Sequence, residues 1–211
     1  MRLGRYCLVG LLLWPWAASA APSAAPSAAI PYQRTLTREA RLLWGLDAPV
    51  AVMAGQIEQE SAWNPLATSP YAAGLAQFTL STASWISGAY AQELGSNQPF
   101  NPEWAIRALV RYDYDLGHAL GPVADECSWW AMALSAYNGG ATWLERDRNY
   151  CTSIEGCSPL VWFNNVELYT RRGPGAAKEN RGYPRRILFD TQLNYTDWGR
   201  TVPCFLAYKA S

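Results

Sequence analysis

A mainly α fold, with a strand element that is minor at most, is what this 211-residue sequence predicts. Three observations carry the prediction. Apolar residues recur at helical spacing, as Val50, Met53, Ala54 and Ile57 do, and as Trp104, Ala108, Tyr112, Leu116 and Leu120 do every four residues. Start signals precede such runs, most plainly Asn101-Pro102-Glu103, which offers a cap, a first-turn proline and a first-turn acid. Proline or paired glycines then stop them, at Asn64-Pro65, Pro122 and Gly139-Gly140. Half of the chain is hydrophobic and 16% is charged, so it has the material for one sizeable core and is not a disordered sequence.

Taken in order, residues 1–20 read as a secretory signal peptide. Arg2 and Arg5 open it, an apolar run from Leu8 to Trp16 follows, and Ala18-Ser19-Ala20 offers a cleavage site. The apolar run is too short to span a bilayer. Residues 21–31, rich in Ala, Pro and Ser, read as an extended tether outside the core, leaving 32–211 as a single domain. A short helix capped at Thr37 is expected through Leu43 or Trp44. In the next, Asp47 caps the start, Pro49 sits in the first turn and 50–60 form the body. Helices are further expected from Ser81 to Leu94, from Asn101 toward Leu120, through the continuously apolar run Trp129 to Tyr137, and from Ala141 to about Arg148. The segment 159–171 also reads as helical, with Trp162, Val166 and Tyr169 on one side. Pro174-Gly175 breaks it, and a last helix includes 178–188.

Export has a consequence for cysteine. Cys7 falls in the signal segment, so four remain: Cys127, Cys151, Cys157 and Cys204. An even number in an oxidising compartment reads as two disulfides, with three connectivities open. Cys151 with Cys157 closes a short, turn-like loop, which leaves Cys127 to hold Cys204. That longer closure would add on the order of 3–4 kcal/mol. No Cys-x-x-Cys pair is present and His118 is the only histidine, so neither a metal site nor a cofactor is expected. Without Arg2 and Arg5 the chain carries 15 basic against 17 acidic residues, a net charge of −2, which offers no basic field for nucleic acid.

The most informative stretch is Gln56-Ile57-Glu58-Gln59-Glu60-Ser61-Ala62-Trp63-Asn64-Pro65. Glu60 falls in the last turn of a helix, where free carbonyls disfavour negative charge. Beside Trp63 and the apolar stripe, its carboxyl should hold a proton more tightly than a free one, as a general acid near neutral pH must. Downstream come Ser69, then Gly74-Leu75-Ala76-Gln77, a tight turn carrying an amide that both donates and accepts. Farther on, Ala136-Tyr137-Asn138 lies at the abrupt corner made by Gly139-Gly140, and Glu179-Asn180-Arg181-Gly182-Tyr183 lies in the last helix.

These segments, in this order, resemble the soluble lytic transglycosylase family of the lysozyme superfamily. The family pattern is Glu-Ser, Asn-Pro, a serine, Gly-Leu-Met-Gln, Ala-Tyr-Asn-Ala-Gly and a late Glu-Thr-Arg-x-Tyr-Val. The departures are Ala76 for Met, Ala72 where a glycine is common, Gly139 for Ala, Asn180 for Thr, Pro184 for Val, and a link from Ser69 to Gly74 that is one residue short. The resemblance spans about 50 to 190. It implies a lysozyme-like domain with a substrate groove and peptidoglycan glycan strands as the partner. Glu60 would be the catalytic acid, Ser69, Gln77, Tyr137 and Tyr183 would orient the sugar, and Asn138 would support the helix corner. A monomer in the periplasm or cell envelope is the expected form. Nothing in these residues chooses between wall turnover, assembly of an envelope-spanning machine and phage entry or lysis.

Ordinary glycosidases use two carboxyl groups. Here only Glu60 stands in a convincing frame. Glu58, two residues away, faces nearly the opposite side of the helix. Asp113, Asp115, Asp125 and Glu126 are further acids that the spacing gives no reason to choose among. The family's route needs one acid, which protonates the leaving oxygen between N-acetylmuramic acid and N-acetylglucosamine. It then takes the proton from the 6-hydroxyl that closes a 1,6-anhydro ring. The alternatives are a lysozyme-type hydrolase with a second carboxylate, and a non-catalytic wall-binding protein that keeps the fold.

Overall fold

The computed structural model describes residues 24–204. Eight α-helices and one small sheet are found among them, so the mainly α expectation holds and the strand element is indeed minor. The helices are α1 (Gln33–Trp44), α2 (Val50–Ser61), α3 (Leu80–Ala89), α4 (Ala91–Leu94), α5 (Pro102–His118), α6 (Glu126–Gly139), α7 (Ala141–Thr152) and α8 (Pro174–Phe189). Strands β1 (Ala72–Ala73) and β2 (Phe78–Thr79) pair antiparallel, Ala72 opposite Thr79 and Ala73 opposite Phe78.

The centre of the molecule is α2. Its residues Val50–Ile57 are all buried, which is why its apolar content runs round the helix instead of along one stripe. It packs against α1, α8 and the 3₁₀ turn Thr191–Tyr195. The other buried helix is α6, enclosed by α5, α7 and α8. Caps written into the sequence set several starts. Asn101 Oδ1 accepts from the N–H groups of Glu103 and Trp104, Asp125 accepts from Ser128 N–H, and Thr79 accepts from Thr82 N–H.

Several expectations are corrected. Asp47 does not cap α2: the helix begins after Pro49, and the Asp47 carboxylate instead meets Arg200 Nε at 3.2 Å. Helix α1 starts at Gln33, a turn before Thr37, because a 3₁₀ turn at Ile30–Tyr32 leads straight into it. The segment expected as an extended tether is folded over its described part. Ala29 is fully buried and its N–H bonds Pro26 O, since small side chains let this stretch lie close against the core. Residues 1–20 lie outside the described residues.

The stretch 159–171 is not a helix. It is irregular apart from a 3₁₀ turn at Val166–Leu168, with Asn164 left-handed at φ 59°. Asn165 Oδ1 accepts from Ser158 N–H and Glu167 Oε1 from Asn164 N–H, so side chains take the bonds that a helix would have used. Trp162, Phe163 and Val166 are buried all the same. The apolar spacing reported burial there, not periodicity.

The two disulfides are Cys127–Cys204 and Cys151–Cys157. No helix among the described residues is long and apolar enough to cross a membrane.

Candidate active site

Helix α2 runs through the core and surfaces only in its final turn, where residues 58–61 are half-buried. Ala62 and Trp63 then take left-handed φ values of 49° and 64°, and the chain turns away. Glu60 is thereby delivered at the end of a rigid helix. Its pKa is pushed up to about 7, chiefly by burial and secondarily by the charge of Glu179, while a hydrogen bond from Tyr183 works the other way. Trp63 points into another cluster, stacked on Tyr32 and donating through Nε1 to the Tyr195 hydroxyl at 2.6 Å.

Two tyrosines from distant segments feel the charge of this carboxyl, and one of them bonds it. Tyr183, buried on α8, donates its hydroxyl to Glu60 Oε1. Tyr137, near the C-terminal end of α6, donates to Ala76 O at 2.7 Å, tying that helix to the hairpin turn. Burial and the charge of Glu60 raise both phenols well above the ordinary tyrosine value, so both remain donors. Phe78 on β2 lies within 6.0 Å, centroid to centroid, of Trp104, Tyr112 and Tyr137, forming an aromatic layer between hairpin and helices.

The other candidates act on the frame. Gln77, left-handed at φ 45°, donates its amide to Ala67 O at 3.2 Å and Gly74 O at 3.0 Å, bracing the turn whose Ala76 carbonyl holds Tyr137. Ser69 is exposed, and its Oγ accepts from Tyr71 and Ala72 N–H, closing the bend that enters β1. Asn138 Oδ1 accepts from Asn180 Nδ2 at 3.1 Å. The same Asn180 donates to Ser135 O and accepts from Ser135 Oγ, both at 2.9 Å, which fastens α8 to α6 beneath the site. Two departures from the family pattern thus belong together. A Cβ at position 139 would stand 2.6 Å from Asn180 Nδ2 and 2.0 Å from Arg172 Nη1, so the longer Asn180 goes with glycine at 139. Gly140, at φ 90°, makes the corner itself.

Sequence reasoning did not select three contributors. Glu179 stands at the acid of the family's late segment, and its charge also acts on Glu60. Gln56 and Asp113 are both fully buried, with Gln56 Nε2 donating to Asp113 Oδ1 at 3.2 Å. A glutamine inside an otherwise apolar helical run was the available signal for this pair. Of the other acids, Asp115 accepts from the Tyr90 hydroxyl, Asp125 caps α6 and Glu126 pairs with Arg200. His118 ends α5, stacked on Tyr114.

Two comparisons bear on this arrangement. The chain is 31% identical over 159 residues to a protein of Thiobacillus denitrificans named membrane-bound lytic murein transglycosylase F, covering 74% of this chain and 32% of that one. It is 32% identical over 111 residues to a protein of the same name from Shewanella loihica, covering 52% of this chain and 21% of that one. It therefore spans a third or less of the length of these relatives. The family model described as the transglycosylase SLT domain matches residues 45–154, just over half of the chain and every segment of the site except α8. The chain belongs to the transglycosylase SLT domain family.

Proposed function

We propose that the protein is a peptidoglycan lytic transglycosylase that uses Glu60 alone as acid and then base. The observation that carries this reading is a half-buried carboxyl at a helix end, held near neutrality and bonded by a buried tyrosine. A group with a value of about 7 gives up a proton and takes one back at comparable cost.

In the first step Glu60 protonates the glycosidic oxygen between N-acetylmuramic acid and N-acetylglucosamine, and the C1–O bond breaks. The muramyl N-acetyl oxygen stabilises the cation at C1, as in substrate-assisted glycosidases. In the second, the Glu60 carboxylate removes the proton from the 6-hydroxyl of the same sugar, whose oxygen closes on C1. The acid is restored, the product ends in 1,6-anhydromuramic acid, and no water is consumed. Tyr183 steadies the carboxylate formed between the steps. Tyr137 and Gln77 hold the turn against the helix corner and present polar groups to the sugar. Ser69 and Asn138 act at one remove, through the bend and the corner.

The segment 1–20 and the two disulfides support export to the periplasm or another oxidising part of the cell envelope. The test is mass spectrometry of muropeptides released from purified sacculi. Anhydro ends without added water are the expected result. Reducing ends, one water heavier, would make the protein a hydrolase, and binding without release would make it a wall-binding module.

A further inference from the structure

Gln56 lies four residues before Glu60 and so on the same face of α2, one turn deeper. There it meets Asp113 of α5, and both side chains are fully buried. The bond from Gln56 Nε2 to Asp113 Oδ1 leaves two atoms without partners, Gln56 Oε1 and Asp113 Oδ2. Both are acceptors if Asp113 is ionised. One proton on Oδ2 turns it into a donor and can serve both orphans at once, closing an acid–amide ring. An ionised Asp113 would instead be a buried charge facing a single neutral amide, which is expensive.

We propose that Asp113 is a neutral carboxylic acid paired head to head with Gln56, and that this pair positions Glu60 by locking α2 to α5 one turn beneath it without adding a second negative charge. The titratable groups around Asp113 are Glu60 from α2, Tyr137 from α6, Tyr183 from α8 and Tyr112 on its own helix. Each is neutral or anionic. Burial, with Glu60's charge, holds the Asp113 proton well above the ordinary carboxylate range, against the opposing effect of the Gln56 bond. A charge at Asp113 would hold Glu60's proton tighter and impair its return to the base form. Asp113 is a positioning residue and not the second carboxylate of a hydrolase.

The activity arm of the test rests on the function proposed above; the spectroscopic arm does not. In the full chain carrying Glu60→Gln, at about pH 7, where exposed carboxyls are ionised, infrared spectroscopy should show one protonated-carboxyl C=O stretch. That band should vanish in the Glu60→Gln/Asp113→Asn double variant. Absence of the band in Glu60→Gln means an ionised Asp113 and overturns the proposal, whatever the enzyme does to sacculi. In otherwise wild-type protein, Asp113→Leu should lower kcat about tenfold with KM within twofold. Asp113→Asn, which can still bond Gln56 in both directions, should restore kcat to within about threefold with an unshifted pH profile. Loss in Asp113→Asn as deep as in Glu60→Gln would make Asp113 a charged participant. Full kcat in Asp113→Leu would leave it a stability residue only; either result overturns the positioning role.

Discussion

A carboxyl that holds its proton up to about pH 7 changes what pH does to this protein. Unfolded, Glu60 titrates near the ordinary value of 4.5; folded, near 7. Below the lower value both states are protonated and the folded form has its full stability. Between the two values the unfolded chain releases the proton first, so stability falls as pH rises, and the loss is complete above about 7. It amounts to on the order of 3 kcal/mol. Glu60→Gln should abolish this dependence, so melting curves at about pH 8 should show the variant more stable than the wild type. The same substitution should cut release of anhydro-muropeptides by roughly 10²–10⁴ with the circular dichroism spectrum unchanged. Wild-type turnover in that variant would end the single-acid mechanism. Because the acid form starts the reaction, kcat/KM should fall as pH passes above about 7. Tyr137→Phe removes the hydroxyl that reaches Ala76 O, and should cost about 1–3 kcal/mol in kcat/KM. If it lowered only the melting temperature, Tyr137 would be a packing residue.

At the scale of elements, the corner between α6 and α7 and its fastening to α8 form one unit. Gly139→Ala should destabilise by roughly 1–3 kcal/mol, because the new methyl meets Asn180 and Arg172 within a shell already filled by their bonds. Combined with Asn180→Thr, its effect should be smaller than the sum of the two single changes, and a double-mutant cycle in urea measures the difference. Much at this scale was legible beforehand. The caps at Asn101, the body of α2 from 50, the central apolar helix and the glycine corner all follow from local chemistry that the folded state keeps. The failures share a cause. Asp47 has a capping side chain but finds Arg200, and 159–171 has helical spacing but is bonded by Asn165 and Glu167. In each case a partner distant in sequence, or a competing side chain, outbid a local preference. The site divides the same way. Glu60 and the tyrosines stand out by their order along the chain, whereas Gln56 and Asp113 become visible only through the buried bond that joins α2 to α5.

In the whole molecule, α2 is enclosed between α1, α8 and the Thr191–Tyr195 turn, and Cys204 is tied to the start of α6 through Cys127. The bond spans 77 residues, so the Cys127→Ala/Cys204→Ala pair should lose on the order of 4–5 kcal/mol by the loop-entropy relation, read as a lower urea midpoint with little change in native activity. The short Cys151–Cys157 loop should matter less, roughly 2 kcal/mol by the same entropy argument.

That clasp has a temporal meaning. The residues that shut over the back of the Glu60 helix are among the last of the described chain to leave the ribosome, and their anchor forms only where thiols are oxidised. On the export route proposed above, the fold would ripen late, after crossing the membrane, and stay loosely assembled beside the machinery that makes it.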